Sequence, residues 1–266
     1  MSPIVEVQDL VKRFDSFTAV DHISFSIEAG EAFALLGPNG AGKTTTLRML
    51  ITLLPPTSGT MRIAGLDVTR HAIIVRRLIG YVPQSLSADG ALTGYENLLV
   101  TAKLLRMGRA ERARAIADVL ALVRLEEAAD RLVSTYSGGM IRRLEIGQAI
   151  LHRPRLLILD EPTVGLDPTA RRSVWEALLA LQRESGITLL VTTHYMEEAD
   201  EYCQRVAIMD RGRIVAIGTP AELKARVGIP GATLDDVFTA VTGSTLESGG
   251  SYRDVRQLRR RAQRYH

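Results

Sequence analysis

The stretch "GPNGAGKT" at residues 37–44 limits the possible folds of this chain more than any other. It matches the phosphate-loop pattern G-x-x-x-x-G-K-[ST], with a short apolar strand pattern, "AFALL" (32–36), before it and a helical pattern after it. Glycines allow backbone N–H groups to turn toward a phosphate, Lys43 adds a charge, and Thr44 offers a hydroxyl to Mg²⁺. The residues expected to contact a nucleotide are Gly37, Pro38, Asn39, Gly40, Ala41, Gly42, Lys43, Thr44 and Thr45.

A second apolar strand pattern, "LLILDEP" (156–162), ends in two acidic residues. Asp160 is placed as the aspartate that holds Mg²⁺ in nucleotide hydrolases. Because neighbouring strand residues point to opposite sides, Glu161 is expected to face the γ-phosphate and polarise an attacking water. The two motifs together predict a hydrolase or kinase of nucleoside triphosphates.

The rest of the pattern predicts an α/β fold with a mostly parallel sheet and an inserted helical subdomain. "RLIGYVPQ" (77–84) and "ITLLVTTH" (187–194) are expected to be core strands, and 205–218 a hairpin. "IVEVQDL" (4–10) alternates like an edge strand. Between about 90 and 150 the pattern becomes helical, with Ile116, Val119, Leu120 and Val123 on one face.

The stretch "STYSGGMIRRLEI" (134–146) places a serine and two glycines at a predicted helix start. It has no lysine beside the glycines, so it is not a second phosphate loop. Taken alone, Ser137 is typical of an ordinary helix N-cap. A helix N-terminus with a hydroxyl and two glycines is also suited to approach an anion.

Six motifs in order now resemble those of the ATP-binding cassette family: "GPNGAGKT", "YVPQ", "YSGGM", "LLILDEP", "GLDP" and "VTTH". The resemblance covers residues 1 to about 240. It implies a RecA-like phosphate-loop core with an antiparallel β subdomain and an inserted α-helical subdomain. The implied division is a first part of the core at 1–88, the helical signature subdomain at 89–153, a second part of the core at 154–228 and a C-terminal extension at 229–266.

The resemblance also implies a role for the "YSGGM" loop. In this family two cassettes dimerise head to tail, and each signature loop caps the γ-phosphate held by its partner's phosphate loop. The nucleotide contacts implied here are Tyr136, Ser137, Gly138, Gly139 and Met140. The family more often has leucine at the position of Tyr136 and glutamine at that of Met140. A methionine cannot donate the hydrogen bonds of an amide.

Four further positions take roles from the family resemblance. Gln84 would sense Mg²⁺ or the attacking water, and His194 would contact the γ-phosphate and orient Glu161. Thr44, Gln84 and Asp160 are the implied Mg²⁺ ligands. Asp167, in "GLDP", would lie in a loop that crosses the dimer interface. Phe14 matches the aromatic residue that stacks on adenine, and Phe17 is the competing candidate.

"YSGGM", "TTHYMEEAD" and "TLDDVF" (233–238) resemble a bacterial export branch that includes daunorubicin-resistance ATP-binding proteins. This implies an ATPase on the cytoplasmic face of the membrane that uses ATP and Mg²⁺. A separate multi-span permease and a second cassette, in a homodimer, are the expected partners. The groove for the permease is expected around Gln84 and "LTGYENLL" (92–99), although "YENLL" could equally be a helix start.

Composition and charge favour the exporter interpretation over two alternatives. There is no apolar run long enough for a membrane helix, no signal-peptide pattern, and a lone cysteine, so we expect a soluble chain in a reducing compartment. Residues 243–266 carry six arginines and two acids, whereas the rest has 27 basic and 28 acidic residues. A near-neutral body gives no case for nucleic-acid binding.

Two alternative functions, a soluble cassette ATPase and a phosphate-loop kinase, require different sequence features. Soluble cassette ATPases that act on DNA or ribosomes usually show tandem cassettes, long coiled-coil insertions or zinc-type cysteine pairs, and a phosphate-loop kinase should lack the signature loop and His194. The other histidines have no zinc-like spacing, so no metal beyond nucleotide-bound Mg²⁺ is expected. The Arg-rich tail is either a solvated end or a basic helix for a lipid surface or partner.

Overall fold

The computed structural model of the chain describes residues 3–243. The Ser/Gly/Thr-rich stretch at 242–254, which is typical of a linker, lies mostly outside the described residues, as does the Arg-rich tail. The described strands form two sheets. In chain order they are β1 (Val5–Phe14), β2 (Phe17–Ile27), β3 (Ala32–Leu36), β4 (Ser58–Ile63), β5 (Leu66–Asp67), β6 (Ile79–Val82), β7 (Leu156–Asp160), β8 (Thr188–Thr193), β9 (Arg205–Asp210) and β10 (Arg213–Gly218).

The larger sheet has six strands in the order β10-β9-β3-β8-β7-β6. Every pairing is parallel except that of β9 with β10, which form the expected hairpin. All residues of β3, β7 and β8 are buried, as expected for apolar strands covered on both faces. The prediction for "AFALL" is confirmed. The strand predicted at 77–84 is shorter and lies at the sheet edge.

The smaller sheet is antiparallel, in the order β2-β1-β4-β5. The prediction that residues 4–10 form an edge strand is wrong, because β1 pairs with β2 on one side and β4 on the other. The alternation of apolar and polar residues in β1 has another cause. One face of this sheet packs into the core, so alternate side chains such as Val5 and Val7 are buried and the others are not.

The helices are α1 (Lys43–Leu50), α2 (Ala72–Leu78), α3 (Gly94–Leu104), α4 (Arg109–Leu122), α5 (Gly138–Ile150), α6 (Pro168–Ser185), α7 (Met196–Tyr202), α8 (Pro220–Val227) and α9 (Leu234–Thr242). Three of the described helices, α3 to α5, lie between β6 and β7, in the region where the sequence pattern is helical. Helix α3 starts at a capping box of Thr93 and Glu96. Helix α4 buries Ile116, Val119 and Leu120. Across residues 3–243, no helix has the length and apolarity needed to cross a membrane.

Two hydrophobic cores lie on opposite faces of the six-stranded sheet. Along β3, Ala34 and Leu36 join the core shared with α3–α6, whereas Phe33 and Leu35 join the core shared with the antiparallel sheet. This is the two-residue period of a strand that is covered on both faces. The carboxyl ends of the parallel strands therefore open at one edge of the sheet, where α/β proteins bind their ligands.

Candidate active site

The phosphate loop connects β3 to α1 and requires glycine at two of its positions. Gly42 has φ of 105°, a backbone conformation that residues with a Cβ rarely adopt. A Cβ on Gly42 would lie 2.5 Å from the Ala19 carbonyl oxygen, and one on Gly37 would lie 2.2 Å from that of Met209. The close approach of neighbouring backbone thus fixes the loop at the N-terminus of α1, where N–H groups suit an anion.

Lys43 is the first residue of α1 and its side chain is buried. Its ammonium donates hydrogen bonds to the carbonyl oxygens of Gly37, at 2.7 Å, and Pro38, at 3.2 Å. It also lies 3.2 Å from the Glu161 carboxylate. The loop backbone therefore holds a buried charge at the point where a phosphate is expected, and its ionic partner is the proposed base.

Oxygen atoms suited to a magnesium ion meet at the ends of three elements. The Thr44 hydroxyl, on α1, donates to Asp160 Oδ1 at 3.2 Å. The Thr192 hydroxyl, on β8, donates to the same carboxylate oxygen at 2.7 Å. Hydroxyl and carboxylate oxygens are the ligands that Mg²⁺ prefers, so this donor set fits the ion.

Glu161 follows the last residue of β7 and has φ of 47°. Its N–H donates to the backbone carbonyl oxygen of Thr192, at 3.1 Å, and to the hydroxyl of Thr192, at 3.0 Å. We expected Asp160 and Glu161 to diverge through strand alternation alone. The structure adds a left-handed residue held by β8, and it aims the carboxylate toward Lys43.

Three side chains converge on the Glu161 carboxylate. Besides Lys43, His194 Nδ1 lies 3.2 Å from Oε2 and the Gln84 amide nitrogen lies 3.5 Å from the same oxygen. Burial acts to raise the pKa of Glu161, but the hydrogen bond with His194 and the charge of Lys43 outweigh it, so the pKa lies below its ordinary value. Glu161 is therefore ionised at neutral pH, as a general base must be.

His194 follows β8 and its ring packs against Tyr195, with ring centroids 4.3 Å apart. The Arg171 guanidinium, on α6, lies over the Tyr195 ring, 4.1 Å from its centroid. The histidine is thus supported by an aromatic ring that a cation on a separate helix holds in place. The sequence pattern indicated His194 but not these two supporting residues.

The phosphate loop borders a cavity of about 230 Å³. The lining residues are Phe17, Ala19, Pro38, Asn39, Gly40, Ala41, Gly42, Lys43, Thr44, Thr45, Gln84 and Glu161. Of the two aromatic candidates, only Phe17 is in this lining. Phe14 pairs with Phe17 across the β1–β2 turn, is 44% exposed, and has the Lys12 ammonium 5.1 Å from its ring centroid.

The signature loop lies apart from this cavity, since none of residues 136–140 lines it. Ser137 is the N-cap of α5 and accepts a hydrogen bond from the Met140 N–H. A Cβ on Gly139 would approach the Ala170 side chain to 2.9 Å, so glycine allows the loop to pack on α6. Asp167, in turn, is the N-cap of α6 through the Ala170 N–H, at 2.9 Å.

Tyr136 occupies a different position from the rest of the signature loop. Its side chain is buried, and its hydroxyl donates to the Ala128 carbonyl oxygen at 2.6 Å. A Cβ on Gly94 would lie 2.3 Å from the same hydroxyl, so the start of α3 packs directly against it. The structure gives the Tyr136 ring a packing role inside the helical insert, whereas Ser137 and Gly138 are exposed and Gly139 is buried.

Sequence reasoning also missed Thr192. Thr192 contacts both Asp160 and the Glu161 backbone, and so aligns the two carboxylates. Its signal was available, because a hydroxyl inside a fully buried strand needs a hydrogen-bond partner. What the pattern could not show is which neighbouring strand supplies that partner.

The fold and the site define a phosphate-loop nucleoside triphosphatase with a separate signature loop. Comparison with known proteins makes the class specific: the family model described as ABC transporter matches residues 20–164, more than half of the chain. The chain belongs to the ABC transporter family, as an ATP-binding subunit that hydrolyses ATP. ATP-binding subunits of this family work with separate membrane permease components.

Individual relatives agree with this assignment. The daunorubicin/doxorubicin resistance ATP-binding protein DrrA of Streptomyces peucetius is 46% identical over 224 residues, covering 84% of this chain and 68% of the relative. The linearmycin resistance ATP-binding protein LnrL of Bacillus subtilis is 41% identical over 225 residues, covering 85% and 72%. The Nod factor export ATP-binding protein I of Paraburkholderia xenovorans is 45% identical over 221 residues, covering 83% and 72%.

Solved structures share the fold. An ATP-binding subunit of an ABC transporter has a TM-score of 0.78 at 32% identity, covering 90% of this chain and 99% of that one. The cbiO1 protein of Clostridium perfringens, part of an ABC transporter complex, has a TM-score of 0.80 at 29% identity, covering 85% and 92%. The predicted cassette fold is thereby confirmed.

Proposed function

We propose that this chain is the ATPase subunit of an exporter and works as a head-to-tail pair of cassettes at the cytoplasmic face of the membrane. One observation carries the pairing: residues 136–140 do not line the chain's own phosphate-loop cavity, although Ser137 and Gly138 are exposed at a helix N-terminus. A loop of this type suits an anion. A second copy turned head to tail supplies that anion as the γ-phosphate held at its own Lys43.

Within each site the residues divide the work of hydrolysis. Lys43 and the loop N–H groups bind the phosphates, Glu161 accepts a proton from the attacking water, and His194 and Gln84 hold the carboxylate in place. Thr44, Asp160 and Gln84 would hold Mg²⁺, which neutralises phosphate charge when bound. Phe14 is proposed to stack on adenine, with Phe17, in the cavity lining, as the competing ring.

The same proposal assigns Asp167 to the cassette interface. Its carboxylate caps α6, and α6 packs against the signature loop at Gly139. The interface loop and the signature loop thus form one continuous surface of the chain. Closure of two such surfaces over two ATP molecules would supply the motion that a permease uses, and hydrolysis would reopen them.

The direction of transport rests on the relatives. Their names assign them to daunorubicin, doxorubicin and linearmycin resistance and to Nod factor export. By that similarity the transported molecule is a drug, a lipid or a polysaccharide-like compound, and the permease is its binding partner. The names of these three relatives give no support to a soluble cassette that acts on DNA or ribosomes.

Co-purification from the native cell tests the exporter proposal. The tagged chain, extracted with its membranes in mild detergent, should recover a multi-span membrane protein in near-equal amount. Leu86, 51% exposed and two residues after Gln84, lies in the expected permease groove, so Leu86→Asp should lose this partner. Ile229→Asp, at a residue 56% exposed beyond α8, is the matched control and should retain it. Recovery of ribosomal or DNA-associated proteins alone would contradict the proposal.

A further inference from the structure

A charged pair is buried in the signature helix, away from the phosphate loop. Arg142 and Glu145 lie one turn apart on α5, with 2% and 3% of their surfaces exposed, and Arg142 Nη1 lies 2.9 Å from Glu145 Oε2. Removing two charges from water is costly unless their remaining hydrogen-bonding groups are satisfied. The remaining hydrogen-bond partners of Arg142 and Glu145 therefore show which segment of the chain this ion pair fixes.

Arg142 binds the backbone on either side of a catalytic side chain. Its Nη1 donates to the Pro83 carbonyl oxygen and its Nη2 to that of Gln84, both at 2.7 Å. A planar guanidinium can reach two successive carbonyls at once, because its donors form a rigid fork. The peptide groups that carry the Gln84 side chain are thus fixed to α5.

Glu145 binds the same segment a few residues further on. Its Oε1 accepts hydrogen bonds from the Ser87 N–H, from the Ser87 hydroxyl at 3.1 Å, and from the Ala88 N–H at 3.3 Å. Strand β6 has already ended at Val82, so the sheet no longer holds this part of the chain. Residues 83–88 are therefore attached at both ends to α5 through one ion pair.

We propose that Arg142 and Glu145 are positioning residues, which make the location of Gln84 follow the location of the signature helix. Helix α5 begins at the exposed residues Ser137 and Gly138, and the Gln84 amide nitrogen lies 3.5 Å from Glu161 Oε2. If α5 shifts when the signature loop contacts the nucleotide of the partner cassette, the shift would thus be transmitted through Gln84 to Glu161. The inference rests on the proposed roles of Gln84 and Glu161 and adds a route by which one site senses the other.

A double-mutant cycle tests this route. Arg142→Lys keeps the positive charge beside Glu145 but cannot donate to both carbonyls, so Gln84 should lose its fixed position. We expect kcat for ATP hydrolysis to fall by about ten- to a hundredfold, with ATP affinity within about twofold of the parent. In a Gln84→Ala background the same substitution should change kcat by less than about twofold, since the residue it positions is already gone.

Arg143→Lys is the matched control. Arg143 is the next residue of α5, but its guanidinium donates to the carbonyl oxygens of Val123 and Arg124 and not to the Gln84 segment. It should leave kcat within about twofold of the parent. If Arg142→Lys does not yield folded protein, Glu145→Gln, which keeps the side-chain shape, goes through the same cycle.

The outcomes separate positioning from simple structural support. Non-additivity with Gln84→Ala, at unchanged ATP affinity, supports the inference. An equal loss of kcat with and without Gln84, or no loss at all, overturns it and leaves Arg142 and Glu145 as a stabilising pair. The proposed function fails independently, by wild-type turnover in Glu161→Gln, so the two failures are distinguishable.

Discussion

Replacing Glu161 with glutamine isolates the proposed base with little change in shape. Glu161 Oε1 is 3.2 Å from Lys43 and Oε2 is 3.2 Å from His194, so a glutamine can keep its amide oxygen beside Lys43 and place its amide nitrogen beside His194. What is lost is the negative charge that accepts a proton. Removal of a positioned base lowers rates by about 10²- to 10⁴-fold, which is roughly 3–5 kcal/mol in the barrier.

The structure also bounds the cost in stability. Truncating one member of a buried ion pair costs about 3–5 kcal/mol when the other charge is left alone. Lys43 is not left alone, because Gly37 and Pro38 still accept its hydrogen bonds. The free energy of unfolding should therefore fall by only about 1–3 kcal/mol.

The pH dependence of that difference has a definite sign. Folding lowers the pKa of Glu161 below its ordinary value of 4.5. The charged carboxylate therefore stabilises the fold at pH values above 4.5. The stability difference between wild type and Glu161→Gln should be constant near neutrality and disappear as the pH falls through the lowered pKa. Denaturant unfolding at several pH values measures it.

The assay for catalysis is phosphate release at saturating ATP, with nucleotide affinity measured separately by titration. Glu161→Gln should bind ATP, hydrolyse it at least about a hundredfold more slowly, and accumulate as an ATP-bound dimer by light scattering. Glu176→Gln, at an exposed residue paired with Arg124 on the surface, is the matched control and should hydrolyse normally. Wild-type turnover by Glu161→Gln would refute the assignment of the base.

Three other predictions concern Phe14, Tyr136 and Cys203. Phe14→Ala should weaken ATP binding by about tenfold through lost stacking, and Phe17→Ala should not; the reverse result in a binding titration would move adenine to Phe17. Tyr136→Phe removes the hydrogen bond to Ala128 and should lower the free energy of unfolding by about 1 kcal/mol, with ATP hydrolysis per folded molecule unchanged. Cys203 is buried, and burial raises the pKa of its thiol, so it should react with a thiol reagent only in denaturant; rapid labelling of the folded protein would disagree.

Local patterns predicted several of the side chains that the structure brings together at the candidate site, because these side chains lie in short segments. The phosphate loop, the carboxylates after β7 and the histidine after β8 each follow a buried strand, and parallel strands bring their carboxyl ends together. The hydrogen bonds from Thr44 and Thr192 to Asp160 follow from that arrangement. Alternation alone did not reveal the left-handed backbone of Glu161.

Features that depend on pairing between distant segments were harder to predict. The alternation of residues 4–10 is compatible with an edge or a central strand, since either can bury one face, and only the partners of β1 decide between them. The Arg142–Glu145 pair lies within a helix pattern that reads as an ordinary i, i+3 surface contact. Its burial against residues 83–88 arises from the way the helical insert packs.

Disulfide trapping tests the head-to-tail pairing most directly. Asn39, in the phosphate loop, and Ser137, in the signature loop, are both exposed, and the native Cys203 is buried. The variant Asn39→Cys/Ser137→Cys, made in the Glu161→Gln background, is oxidised with and without ATP and run on a non-reducing gel. The account predicts a covalent dimer that forms with ATP and is absent from each single-cysteine control. A disulfide that forms within one chain, with no covalent dimer, would contradict it.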